Sequence, residues 1–350
     1  MAKNIDSGIR AGRVAGWVAT CAVAALALTA CTSDGGQGDN AVGAVPTIEA
    51  TEFVKIAEPH ENSALGEIKS LAEGSVFGPD GGLYVTDVAA PGGEPKILKL
   101  DLDTKEWTTI YTDQDGVYSS AQFSPKDGKL YVTDMGGKIL RMNPDGSTVE
   151  TVFDGPVDGR RIVADDIAFD AAGSMYITDF AGTPWDPTGR LIRIDSTGGV
   201  PTVLQEGLAS PNGISFTNDY SRLWVNETTA NRLSNFRLNE DGSSIIDGRV
   251  GIYVNLGTKS GGDTTMSIDS IAVDSEGNIY QTVYGGGEIL IWNSVGDLLA
   301  TVITKSESSI PQLGITNIAI KPGTKDAFAT VGAENGSYVY QFEALGEGIG

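Results

Sequence analysis

Cysteine and histidine are almost absent from this sequence: two of the first and one of the second in 350 residues. Cys21 and Cys31 both fall in the N-terminal 31 residues, so the rest of the chain has no disulfide, no thiolate nucleophile and no cysteine-ligated zinc. The one histidine, His60, argues against a Ser-His-Asp triad, a His-His dyad and a histidine-ligated zinc centre. No Gly-x-Ser-x-Gly elbow, P-loop or dinucleotide fingerprint is present. Positive charge is scarce too, with 24 Lys and Arg against 46 Asp and Glu and a net charge of −22. That balance speaks against nucleic acid or an anionic lipid surface as partner, and it is compatible with calcium binding. Chemistry is left to carboxylates, amides, hydroxyls and a bound ion.

The long apolar run is confined to Val14–Ala30, behind the basic residues Lys3, Arg10 and Arg13. This run is short for a spanning helix and ends in Leu28-Thr29-Ala30-Cys31. Small residues before a cysteine at such a point resemble the bacterial lipoprotein cleavage box. The resemblance implies removal of residues 1–30 and lipidation of Cys31, which would hold the protein to the outer face of a bacterial membrane without spanning it. An ordinary secretory signal or an uncleaved anchor is the alternative. Residues 31–49 then read as the lipidated cysteine and a flexible linker rich in Gly, Ser, Asp and Asn. Residues 1–30 hold three basic and one acidic side chain, so the mature chain stands near −24.

What the sequence has in abundance is one short pattern, repeated six times. It opens at Glu73-Gly74-Ser75-Val76-Phe77, passes a turn at Pro79–Gly82, and continues as Leu83-Tyr84-Val85-Thr86-Asp87. Later copies start at Ser119, Asp165, Asn212, Asp269 and Thr316, spaced by 46, 46, 47, 57 and 47 residues. Each copy is a short apolar run, a turn and an alternating strand, which is a hairpin signature. A period near 45 with about four strands per unit predicts an all-β, six-bladed β-propeller spanning residues 50–350. The sixth copy is one strand short, and Ala50–Ala57 reads as the N-terminal strand that completes it. In blade four, Glu227–Arg232 and Leu233–Leu238 read as the outer strands, with about ten extra residues within Gly248–Met266.

In a propeller the innermost strand of every blade lines the axis, so equivalent positions form a ring. Here the leading position is Glu73, Ser119, Asp165, Asn212, Asp269 and Thr316, all oxygen-bearing. Three carboxylates converging on one axis repel and are costly to desolvate. A hard divalent cation removes that conflict, and calcium takes six to eight oxygen ligands in flexible geometry. The alternative is that these positions are simply polar because they lie near turns.

Beyond this point the residues resemble a known family. Leu71-Ala72-Glu73-Gly74, Ser210-Pro211-Asn212-Gly213 and Asp269–Asp274 are similar to blade starts of the regucalcin/gluconolactonase propellers. Asp165–Asp170, Tyr176–Phe180, Glu227–Arg232 and Asp269-Ser270 resemble its drug-responsive lactonase branch. The resemblance implies a calcium-dependent hydrolase of lactones, with Glu73, Asp165, Asn212 and Asp269 as ion ligands and Ser270 beside them. Asp269 would also move the proton. It further implies a second, structural calcium near the loops of blades two and three. Here the short Met135-Gly136-Gly137 loop and the stretch Asp158–Ile162, without the expected Thr and Tyr, depart from that pattern.

Ser119, Tyr118, Trp185 and Tyr284 are candidate substrate contacts; each aromatic has ordinary blade packing as its alternative. Two other functions stay open at this stage. One is a non-catalytic envelope propeller that uses calcium as an axial staple while its rim binds a ligand or partner. The other is a phosphotriesterase-like hydrolase, which the same ion chemistry suits.

Overall fold

The computed structural model describes residues 44–256, 266–305 and 314–349. The proposed leader, Cys31 and most of the linker therefore lie outside the described residues, as do 257–265 of the blade-four insertion. From Val45 onward the chain is a six-bladed β-propeller. The innermost strands are Ala72–Phe77, Tyr118–Phe123, Ala164–Phe169, Pro211–Phe216, Ser267–Val273 and Gly314–Ile320. Blades one to four are separate four-stranded antiparallel sheets, each running outward in chain order.

Blades five and six share one eight-stranded sheet, and the N-terminal strand Thr47–Ala57 is the reason. It pairs antiparallel with Gly336–Glu343 and so supplies the fourth strand of blade six. Its first five residues also pair in parallel with Thr301–Lys305 of blade five. Ala50 is fully buried, Phe53 packs edge-on against Phe328, and the Trp107 indole of blade one donates to Lys55 O at 2.9 Å. One strand thus binds the chain's two ends and touches three blades.

Blade-to-blade packing follows from the repeated pattern. In blades one to three the tyrosine at the second position of the second strand faces the next blade and meets the phenylalanine that ends its inner strand. Tyr84–Phe123, Tyr131–Phe169 and Tyr176–Phe216 each lie 5.0 Å apart in T-shaped contact, and Phe328 closes the circle on Phe77. Such pairs contribute about 1 kcal/mol each beyond their buried area. The tyrosine hydroxyls end on turn aspartates, Asp80, Asp127, Asp170 and Asp274. This explains why the pattern needs an aspartate in the turn before each tyrosine. Six apolar clusters occupy the six layers between blades.

Blade four differs from the expectation. Thr228–Ala230 is a single 3-10 turn ending in Asn231 at φ 47°, a left-handed residue that reverses the chain. The third strand is therefore Arg232–Leu238 and the fourth is Ile245–Tyr253. Part of the supposed insertion is this outer strand. The C-terminal segment is also ordered: Gly348 bridges to Asp274 and Pro322, and Tyr280 accepts the Leu345 N–H.

Removing residues 1–57 is expected to expose the outer edges of blades five and six and abolish the single cooperative melt. Circular dichroism during heating checks this, and an unchanged transition would overturn the closing role of the strand.

Candidate metal centre and active site

Every inner strand has a register break against its neighbour at the ring position, for example between Glu73 and Val76, Ala164 and Ile167, and Ile268 and Ile271. A bulge of this kind frees a strand from strict alternation and re-aims its side chains. Two consecutive residues per strand can then serve the axis.

The six leading residues divide into two sets. Thr316 donates to Ala72 O of blade one, and Ser119 reaches Ala164 O and Asp165 O of blade three, both at 3.0 Å. These hydroxyls tie neighbouring blades. Glu73, Asp165, Asn212 and Asp269 form the second set and act on one another. Burial raises the Glu73 carboxyl well above the usual range, and the charges of Asp269 and Asp165 raise it further. Asp165 is pushed up by burial and by Asp269. Burial lifts Asp269 to about 8 even though the Asn212 amide donates to it. No basic side chain is prominent among the charges acting on these three groups.

The ring is also held from behind. Thr133 donates to Asp165 O, Asn226 to Asp269 O, and Thr282 to Thr316 O. Each comes from the second strand of one blade and fixes a ring residue of the next. The recurring Thr in Tyr-Val-Thr-Asp was the available signal for this role, and it went unread in the sequence. Close approach between blades four and five depends on Gly213, where a Cβ would lie 2.6 Å from Ser270 Cα and from Ile271 N. Any side chain there would force Asn212 away from Asp269.

The donor set suits a hard divalent cation: three mutually repelling carboxylates, one amide and oxygen atoms only. Among the described residues, no three His, Cys, Asp or Glu side chains are already drawn around one point. Glu73, Asp165, Asn212 and Asp269 are the residues that would hold such a cation.

The other expected residues are scattered. The Ser270 hydroxyl lies one step along the strand from Asp269, donating to Asp166 Oδ2 at 3.4 Å and accepting from Asn317 Nδ2 at 2.9 Å. Tyr284 stands beside the ring: burial and the charges of Asp269 and Glu73 make its hydroxyl less acidic. Tyr118 is buried in the layer between blades one and two, its hydroxyl donating to Asp113. Trp185 is 93 % exposed on the tight turn Thr183–Asp186. At the second expected ion position, Arg161 donates to Gly136 O and to Asp154, so a guanidinium already bridges those loops. His60 pairs with Asp87 at 2.8 Å.

A six-bladed propeller with a polyanionic ring at its axis defines the class of protein. Residues 71–328 match the model of the SMP-30/gluconolactonase/LRE-like region, and the chain belongs to that family. It is 28 % identical over 317 residues to the lactonase drp35 of Staphylococcus haemolyticus, covering 87 % of this chain and 93 % of that protein. The Staphylococcus aureus (strain USA300) lactonase drp35 is 29 % identical over 288 residues, covering 80 % of this chain and 84 % of that one. Among solved structures, a Xanthomonas campestris gluconolactonase superposes with a TM-score of 0.63 at 17 % identity, covering 86 % of this chain and 99 % of that one. The Agrobacterium tumefaciens calcium-binding protein regucalcin gives 0.63 at 16 % identity, covering 87 % and 99 %. At that identity the likeness shows the fold.

The raised carboxyls carry a pH signature. Unfolded Asp and Glu ionise near pH 4, whereas Asp269 in the metal-free fold does so near 8. The folded state therefore holds extra protons across this window, and stability falls as pH rises through it. His60, favoured in its charged form by Asp87, adds a slope of the same sign. In chelator, the melting temperature is expected to drop as pH rises from about 4 to 8, and Asp269→Asn to flatten part of the drop, Glu73 and Asp165 keeping the rest. A wild-type profile that is level over this range would count against a repelling ring.

Proposed function

We propose that the protein is a calcium-dependent lactonase of the drug-responsive branch, acting at the axial ring and tethered to the cell envelope through lipidated Cys31. The observation that carries the reading is the convergence of Glu73, Asp165, Asn212 and Asp269 from four separate blades, three of them carboxyls raised by one another or by burial. The names of the relatives, lactonase drp35 and gluconolactonase, support the substrate class. The regucalcin neighbour, called a calcium-binding protein, supports the ion.

A divalent cation held by Glu73, Asp165, Asn212 and Asp269 would supply positive charge to polarise the lactone carbonyl. The chain supplies the remaining functions. Asp269 accepts a proton from the attacking water and returns it to the departing alkoxide. Asn212 donates to the Asp269 carboxyl and so fixes which oxygen is free for that transfer. The wall of the ring at blade five is Tyr284, whose backbone pairs with Ser267, two residues before Asp269. Its half-buried ring is placed to meet the substrate's organic portion.

Lactone hydrolysis by the purified protein, measured after chelation and again after adding calcium, tests the reading. Activity should vanish and return, and Asp269→Asn should lower kcat by about 10²-fold or more with the fold retained. Tight calcium binding without turnover of any lactone or phosphotriester would shift the weight to the non-catalytic propeller. Turnover of phosphotriesters alone would favour the phosphotriesterase-like reading. For the anchor, Cys31→Ser is expected to move the protein from the membrane fraction to the soluble one. Its continued sedimentation with membranes would remove the lipid tether.

A further inference from the structure

One or two residues past the candidate ion ring, the inner strands carry a second polar layer. Ser120 of blade two donates to Asp166 Oδ1 of blade three. Asp166 also accepts the backbone N–H of Ile167 at 2.9 Å, that of Ile214 in blade four at 3.3 Å, and the Ser270 hydroxyl of blade five at 3.4 Å. The Ser270 oxygen accepts from Asn317 of blade six, whose Oδ1 accepts the Ser75 hydroxyl of blade one at 2.7 Å. This belt crosses all six blades, and its side chains are at most 8 % exposed.

The belt has a definite place. A cavity of about 680 Å³ runs along the axis on the opposite side from the ring. Ser75, Ser120, Asp166 and Asn317 line its inner end, whereas Glu73, Asp165, Asn212 and Asp269 do not line it. The belt is therefore the partition between the ring and this cavity.

Within the belt Asp166 is the charged member. Its two oxygens accept four donors and offer no proton in return, a role that an amide with one acceptor oxygen or a single hydroxyl cannot fill. Through these bonds Asp166, itself the neighbour of Asp165, ties down the inner strands of blades two, four and five one or two residues from Ser119, Asn212 and Asp269, and its charge lies next to the place a cation would occupy. It also acts through Ser270: a hydroxyl that gives its proton to Asp166 offers lone pairs, not a hydrogen, to whatever the neighbouring ring holds. Groups behind a metal's ligands orient them and commonly change affinity by about 10- to 100-fold.

We propose that Asp166 is the positioning residue of the ion ring, a buried carboxylate that sets divalent-ion affinity from one layer below without being a ligand itself. This rests on the divalent-ion reading of the ring. The test is calorimetric titration of calcium into the purified full-length protein, paired with melting in chelator. Asp166→Asn should weaken calcium binding about tenfold or more. The metal-free melting temperature is expected to fall modestly, because the amide nitrogen would face one of the four donors, so the calcium affinity is the deciding readout.

Calcium affinity within twofold of wild type would overturn the proposal, as would a lower metal-free melt at unchanged affinity, the mark of a purely structural bond. Should Asp166→Asn fail to fold, Ser120→Ala removes one donor to Asp166 and keeps the charge. It is expected to weaken calcium binding several-fold, and wild-type affinity in this variant would overturn the proposal. Wild-type protein that opens lactones yet binds no divalent ion would overturn the ion reading and this inference with it. Wild-type binding with an indifferent Asp166→Asn would remove the inference alone.

Discussion

Six inner strands must converge on one axis, and that convergence forces three carboxyls into each other's field. The blades close through contacts that take no account of the charge this creates at the centre. Tyr84 against Phe123, Tyr131 against Phe169 and Tyr176 against Phe216 set the angle between blades, and the N-terminal strand locks the last one. Glu73, Asp165 and Asp269 are then held near one another whether or not a counter-charge is present. Burial first, and neighbouring carboxylate charge after it, makes all three groups weaker acids than usual.

The scaffold resists this repulsion with transverse hydrogen bonds. Thr133, Asn226 and Thr282 reach from one blade to main-chain carbonyls at the ring position of the next. Ser119 and Thr316, members of the leading ring by position, are spent on the same task. Backbone positions around the axis are thereby fixed while four side chains remain to respond to a ligand. A centre of this kind is preorganised in its main chain and adjustable in its side chains, which suits the flexible coordination of calcium.

Lower down, the polar belt and the cavity give the axis two different ends. The ring end carries the crowded carboxyls and Tyr284, whereas the cavity begins at the belt. Charge is concentrated on one side of a wall of hydroxyls and amides. Asp166 belongs to that wall by its bonds and to the ring by its field.

The repeat itself was legible in the sequence: the period, the Tyr–Phe pattern, the turn aspartates and the strand that completes blade six are all local or arithmetic features. The inner-strand placement of Glu73, Asp165, Asn212 and Asp269 was legible too, because equivalent positions of a closed ring fall on equivalent strands. Other features needed the tertiary structure. Blade four was misread because Asn231 takes a left-handed turn that no hydrophobic pattern records, which moved the outer strands along the chain. Tyr118 precedes the axial position Ser119 yet packs between blades one and two. Asp166 stood in plain view beside Asp165, but strict period-two alternation assigns it to the opposite face. The register break at each ring position lifts that alternation and lets neighbours such as Asp165 and Asp166, or Asp269 and Ser270, both serve the axis. A bulge is fixed by how the next blade packs, and that is decided only when the ring closes.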